Sequence, residues 1–182
     1  SEDFSKDFYI YLAYLGFIST STTIENKFYL LPEIQFEYAI LDFKNLHISK
    51  KIKSLLKKEI FQFSINSNFN LVLENIEKYH KTNWLTNKYK ELISSLKNYK
   101  HKNIDFEIIS VELYDKETFS SKEKKYNNWG KLQMILLAKY LEDENYSFWN
   151  LGHPYMQYKF DLGATTYSRE EFLLKWLSQH QI

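Results

Sequence analysis

The sequence contains only four glycines among its 182 residues, and each of them is isolated from the others. Folds that bind nucleotide phosphates through a P-loop or a dinucleotide fingerprint need several glycines in one short loop, because backbone N–H groups must approach the phosphates closely. The glycine-rich coenzyme A loop that is usual in acetyltransferases is missing as well. The sequence therefore argues against these nucleotide-cofactor folds, and we expect no cofactor.

The chain has no cysteine, which removes disulfides, zinc thiolates, iron–sulfur clusters and thiol nucleophiles. No two of its histidines stand four residues apart with a carboxylate, so we expect no metal site. No apolar run approaches the eighteen residues of a membrane span, and the acidic start at Ser1–Asp3 is unlike a signal peptide. These features predict a cytoplasmic protein that is not inserted in a membrane.

The formal net charge of +1 hides a segregated distribution of charge. Residues 44–58 contain six lysines and no acid, and residues 88–102 contain five lysines against Glu91. A basic face of this kind suggests a polyanionic partner such as a nucleic acid. The alternative is a solvated helix surface in a chain whose basic residues are almost all lysine.

Short alternating apolar patterns predict strands in several parts of the chain. The segment Phe106–Tyr114 is apolar in part on both faces, so we expect it to be the central strand of a sheet. Further strands are expected at residues 28–31, 35–42, 61–65, 147–151 and 155–160.

Helices are expected between these strands because capping residues precede apolar stripes of helical spacing. Ser49 and Thr86 are the clearest single caps, and Ser168 with Glu171 forms a capping box before the last helix. The strand and helix order predicts an α/β (α+β) fold. A soft boundary near residue 60 would separate residues 1–60, which contain the basic helix, from residues 61–182.

Four short motifs occur in one order along the chain: LHIS at 46–49 before the basic helix, NWLT at 83–86, ISVE at 109–112 and DLGA at 161–164. Together they resemble the leucyl/phenylalanyl-tRNA–protein transferase family, whose corresponding patterns read LHIS, TWIT, HSVE and SLGA. The resemblance implies a small N-terminal subdomain, residues 1–60, joined to a GNAT-like acyltransferase domain, residues 61–182. It also implies transfer of leucine, phenylalanine or methionine from aminoacyl-tRNA to a protein N-terminus, a step of the N-degron pathway of protein degradation.

The sequence departs from the family pattern in two places. Residues 114–117 lead almost directly into Thr118–Ser120, where the family has a hairpin. Leu151 stands where the family has an aspartate, and His153 occupies the position of a glutamine. The pattern LG…M.YK over residues 151–159 instead resembles arginyl/leucyl-tRNA–protein transferases, which act on acidic N-termini. Two alternatives therefore stay open: an enzyme of that second type, or an inactive relative that binds tRNA or degrons.

The chemistry implied by the resemblance requires no metal and no enzymatic nucleophile, and the sequence contains no motif for either. A free α-amine attacks an ester carbon that is already activated, so positioning the two reactants supplies much of the acceleration. The protein must then accept a proton from the amine and stabilise the oxyanion. The implied partners are aminoacyl-tRNA and a protein or peptide N-terminus, and we expect a monomer.

The resemblance also assigns roles to individual residues. The tRNA contacts would be Lys50, Lys51, Lys53, Lys57 and Lys58. The substrate pocket would contain Trp84, Ser110, Phe119 and Lys159. His153 would act as general base or oxyanion partner, and Glu112 would order the acceptor amine or a water. Each side chain also has an ordinary structural interpretation: a solvated helix face, a core aromatic residue, an outward-facing Glu112, a structural His153 before Pro154, or an exposed Lys159.

Overall fold

The computed structural model describes residues 1–79, 84–116 and 128–178. Within these residues the helices are α1 Lys6–Tyr14, α2 Lys50–Lys58, α3 Phe69–Tyr79, α4 Asn87–Leu96, α5 Trp129–Asp143, α6 Gln157–Asp161 and α7 Arg169–Ser178. The strands are β1 Ile18–Ile24, β2 Lys27–Glu33, β3 Glu37–Leu41, β4 Phe61–Ile65, β5 Val111–Asp115, β6 Trp149–Asn150 and β7 Thr165–Ser168. The expected mixture of helices and strands is confirmed. No helix in the described ranges is long and apolar enough to cross a membrane.

The chain divides into two compact units that alternate along the sequence. The first unit comprises Ser1–Gln35 and Asn68–Ser110, and the second comprises Phe36–Ser67 and Val111–Ile182. The boundary expected near residue 60 falls inside the second unit, and as a division into functional parts it stays a prediction.

The first unit contains an antiparallel hairpin of β1 and β2 and a helical core. Glu25 and Asn26 connect the two strands, and both adopt positive φ values of 47° and 61°. A two-residue hairpin turn of type I′ requires this conformation, because it matches the twist of the strands. The core of the unit consists of buried side chains from α1, β2 and α4, including Ile10, Leu30 and Leu92.

The second unit is organised around β3, which lies between β6 and β7 in an antiparallel sheet. Residues 38–41 of β3 are fully buried, as expected for a central strand covered on both faces. Helix α7 packs on this sheet through Phe172, whose ring stacks on Tyr38 with centroids 4.1 Å apart. The Arg169 guanidinium group also donates a hydrogen bond to the Tyr38 hydroxyl.

The prediction that Phe106–Tyr114 forms a central strand is wrong. The strand begins only at Val111, and among the described residues β5 pairs with β4 alone in a two-stranded sheet. The physical reason lies in the preceding residues: Phe106 and Ile108 pack against the core of the first unit instead of extending the strand.

The strand expected at residues 155–160 is also wrong, because helix α6 occupies Gln157–Asp161. Tyr158 and Leu162 are four residues apart and pack in the same core cluster as Ile52. That spacing places both side chains on one face of a helix, but residues i and i+4 share a face in a strand as well, so the spacing alone does not separate the two structures. The short segment offered too few residues for the helical period to be read from the sequence.

The capping predictions are confirmed by hydrogen bonds. The Ser49 hydroxyl accepts from the backbone N–H of Ile52 at 3.4 Å, and the Thr86 hydroxyl accepts from Tyr89 N–H at 3.4 Å. The Ser168 and Glu171 pair forms the full capping box. The Ser168 N–H donates to the Glu171 carboxylate at 2.7 Å, and the Glu171 N–H donates to the Ser168 hydroxyl at 3.2 Å.

Gly163 occupies a position that no side chain could share. Its φ is +101°, and a Cβ built on it would lie 2.0 Å from the carbonyl oxygen of Asn45. Two backbone segments therefore touch here: the loop 45–49 that precedes α2, and the turn 161–164 that follows α6. The glycine is required by close approach as well as by its backbone conformation.

We expect Gly163→Ala to lower the free energy of unfolding by about 3 kcal/mol or more, because overpacking and backbone strain act together. Chemical denaturation measures this change. Gly130→Ala is the matched control, since nothing lies within 4 Å of its added Cβ and it stands in the first turn of α5. Equal stability of the two variants would contradict the close approach of Gly163 and Asn45.

Candidate functional site

Helix α2 presents a basic face to solvent and an apolar face to the core of the second unit. Ile52 is 1% exposed, and Leu55 and Leu56 pack beside it in the same cluster. The exposed side chains are Lys50, Lys51, Lys53, Lys57 and Lys58. None of these five lysines forms an ion pair with any described acidic side chain. Their charges are therefore available to an external anion.

The loop before α2 meets the turn after α6, although more than a hundred residues separate them in sequence. The His47 N–H donates to the carbonyl oxygen of Leu162 at 2.9 Å, and His47 Nδ1 lies 3.2 Å from the carbonyl oxygen of Asp161. A pocket of about 210 Å³ opens at this junction. Its lining consists of His47, Ser49, Ile52, Lys131, Ile135, Asp161 and Leu162.

Charged groups stand at the rim of this pocket. Lys131 on α5 reaches the Asp161 carboxylate with an N–O distance of 3.1 Å, and Gln157 donates to its other oxygen at 3.3 Å. The hydrogen bond from Lys131, followed by that from Gln157, lowers the pKa of Asp161. The Asp161 carboxylate is therefore ionised at neutral pH, and it offers acceptor oxygens beside a cation.

His153 is half-buried between α6 and β6. Its ring stacks on Tyr155 with centroids 5.0 Å apart, and its Nδ1 is buried without a hydrogen-bond partner among the described residues. Lys159, expected to be exposed, is instead 3% exposed, and its ammonium group donates to the backbone carbonyl of His153. Burial lowers the pKa of Lys159. The lysine thus faces the backbone of the histidine and not solvent.

Glu112 on β5 is 4% exposed, so it is not the outward-facing carboxylate of the structural interpretation. It accepts a hydrogen bond from the Ser64 hydroxyl at 3.1 Å and another from the Ser67 N–H at 3.3 Å. These bonds attach the carboxylate to the end of β4. Ser110, the residue before β5, is buried as well and belongs to the first unit.

Trp84 belongs to the first unit, where it is 38% exposed. Its ring meets Tyr89 edge to face at 6.1 Å, and its carbonyl oxygen accepts from the Ser21 hydroxyl at 2.6 Å. The Tyr89 hydroxyl in turn donates to the carbonyl of Ser19 at 2.8 Å. Trp84 is therefore held by its backbone while part of the indole remains accessible. Phe119 lies outside the described residues, and so does the segment in which the family pattern has a hairpin.

The structure brings together residues that sequence reasoning did not select. His47, Lys131 and Asp161 line one pocket, yet no single spacing in the sequence links them. The LHIS and DLGA motifs did mark two of the segments, but nothing in a one-dimensional pattern indicates that they touch. Within the described residues, no group of three or more potential ligand side chains could hold a metal ion.

Comparison with known proteins identifies the family to which most of the chain is similar. The profile of the family described as leucyl/phenylalanyl-tRNA protein transferase matches residues 40–177. The chain is also 29% identical over 153 residues to a leucyl/phenylalanyl-tRNA–protein transferase of Flavobacterium johnsoniae, a match that covers 74% of this chain and 69% of that protein. Neither alternative left open by the sequence is favoured by these matches. The chain belongs to the leucyl/phenylalanyl-tRNA protein transferase family, whose members are aminoacyltransferases.

Proposed function

We propose that this protein transfers leucine, phenylalanine or methionine from charged tRNA to the N-terminus of a protein, as a monomer in the cytoplasm. The acceptor would then enter an N-degron pathway. The observation that carries the proposal is the row of exposed lysines on α2, which form no ion pair with a described acidic side chain and lie inside the region that matches the family. We further propose that residues 61–182 form a divergent GNAT-like domain.

The tRNA contact is electrostatic in this proposal. The ammonium groups on α2 replace counterions along the RNA backbone, and their release drives binding. Because Ile52 anchors the opposite face in the core, the lysines are carried on a fixed helix and not on a loop. The charged tRNA would therefore bind in a defined position before transfer begins.

In the transfer step, the acceptor amine nitrogen bonds to the carbonyl carbon of the aminoacyl ester. The ester bond to the terminal ribose then breaks, and the ribose oxygen gains a proton as it leaves. We assign acceptance of the amine proton to the His153 imidazole, since histidine is the side chain that most often serves as a general base. Lys159 positions the histidine by holding its backbone carbonyl.

The structure offers no support for an acidic acceptor at Lys159. That alternative needs a cation that attracts a carboxylate from solvent, but the Lys159 ammonium group is buried and directed to the His153 carbonyl. We also assign Glu112 an indirect role, because its carboxylate is buried and accepts hydrogen bonds from neighbouring residues. Its bonds to Ser64 and Ser67 order the end of β4.

Replacing Lys50, Lys53 and Lys57 together by glutamate should weaken tRNA binding and reduce the slope of log affinity against log salt by about 2 to 3, since each lost phosphate contact removes part of that slope. Fluorescence anisotropy with labelled tRNA at several salt concentrations measures both quantities. A matched control replaces the exposed Lys78, Lys116 and Lys139, which lie outside both lysine-rich segments, by glutamate, which changes the net charge equally. Equal losses in the two triple variants would exclude α2 as the specific tRNA contact.

His153→Ala should slow single-turnover transfer by about 100-fold, the scale of a missing general base, with unchanged tRNA affinity. His153→Gln should recover part of the rate, because it restores the hydrogen-bonding group found at this position in the family pattern. Rapid-quench measurements at saturating tRNA give the rate. A wild-type rate in folded His153→Ala protein would remove the histidine from the chemistry.

The activity itself is tested with peptides that differ only in their first residue. Incubation with radiolabelled amino acids on total charged tRNA should label peptides that begin with lysine or arginine. Peptides that begin with aspartate or glutamate should stay unlabelled. Labelling of the acidic peptides alone would overturn the proposed acceptor, and labelling of none would overturn the proposed transfer.

A further inference from the structure

The pocket beside α2 combines an aliphatic floor with a polar rim. Ile52 and Ile135 are each 1% exposed and Leu162 is 3% exposed, so the floor is fixed by core packing. His47 and Asp161 stand at the opening with Lys131, which provides donors and acceptors in a small space. Binding sites for small organic groups have this composition: apolar walls and a few convergent polar groups.

The volume of the pocket limits the occupant. Its 210 Å³ is about seven times the ~30 Å³ that one water occupies in the liquid, so the pocket is too large for a single ion or water. It is also smaller than the ~300–1,000 Å³ of sites that enclose drug-sized ligands. One flat ring system fits these limits, whereas a complete nucleotide does not.

The charges of the rim argue against a phosphate group. The Asp161 carboxylate would repel a phosphate, and the positive charge of Lys131 is already paired with it. The three aliphatic side chains of the floor would also leave phosphate oxygens without hydrogen bonds. An uncharged ring with polar edges avoids both the repulsion and the loss of hydrogen bonds. Its apolar faces can cover the floor while its polar edge reaches the rim.

We propose that this pocket binds one unpaired nucleobase of the RNA substrate, with Asp161 accepting a hydrogen bond from an exocyclic amino group. The inference rests on the proposed tRNA-dependent function. Continuity with the basic helix supports it, since Lys50 and Lys51 directly follow the pocket residue Ser49. A strand with one base in the pocket has its phosphates beside these exposed ammonium groups.

The acceptor oxygens of Asp161 determine which bases bind. Adenine, cytosine and guanine carry an exocyclic amino group that can donate to a carboxylate, whereas uracil carries only carbonyl oxygens at those positions. Asp161 therefore selects amino-bearing bases over uracil. His47 and Lys131 supply donors to the ring nitrogens or carbonyl oxygens of the same base.

The test is an NMR titration of the full chain with adenosine, cytidine and uridine, following the ring protons of His47. We expect saturable shifts with adenosine and cytidine, and at least tenfold weaker binding of uridine. Asp161→Asn should bring the affinities of cytidine and uridine within about threefold of each other, because an amide both donates and accepts. Asp143→Asn, the same change at an exposed position on α5, should leave the preference intact.

Three results would overturn the inference: no saturable shift with any nucleoside, equal affinity of the wild type for uridine and cytidine, or saturation of the same shifts by inorganic phosphate. The peptide transfer assay on the same preparation separates this inference from the proposed function. Transfer without nucleoside binding rejects the pocket alone. Nucleoside binding without transfer rejects the proposed enzyme activity while the base pocket stands.

Discussion

Gly163 meets the carbonyl oxygen of Asn45 with no room for a side chain, and this close approach joins two distant segments of the second unit. It brings the loop before α2 against the end of α6, so that the His47 N–H reaches the Leu162 carbonyl. From the same turn the chain enters β7, which pairs with β3 and leads into α7. The segments that lead into the basic helix and into β7 therefore meet, beside the pocket, at one close approach of the backbone.

Buried polar groups in this unit connect stability to the candidate site. Burial of an ammonium group destabilises the folded state unless the group is hydrogen-bonded. The buried ammonium group of Lys159 donates a hydrogen bond to the backbone carbonyl of His153. The segment that carries His153 is therefore attached to α6, which ends at Asp161 on the pocket rim. A change in the position of α6 would move the histidine backbone and the rim together, which couples the proposed chemistry to the proposed base pocket.

The sequence predicted local features well and distant contacts poorly. Caps at Ser49, Thr86 and Ser168 were correct because each depends on hydrogen bonds within three residues. The predicted extent of β5 was wrong, because Phe106 packs against the core of the first unit. That packing depends on residues distant in sequence, so the local pattern could not indicate it. Strand β1 was missed because ISTSTTI lacks the apolar alternation that marks a strand. The pocket could not be predicted at all, as its two loops are far apart in sequence.

Within its nine residues, helix α2 has one face that packs in the core and another that carries the proposed RNA contact. Ile52 contributes to folding, because it is buried among core side chains, whereas the lysines contribute nothing to that packing and remain exposed. Substitutions on the basic face should therefore have little effect on stability, since exposed charges contribute little to folding, and they can probe the proposed RNA contact separately from the fold. Gly163 is the opposite case, because any side chain at this position would clash with the carbonyl oxygen of Asn45. Helix α2 can therefore tolerate changes on its exposed face only while the loop that precedes it keeps its close approach to Gly163.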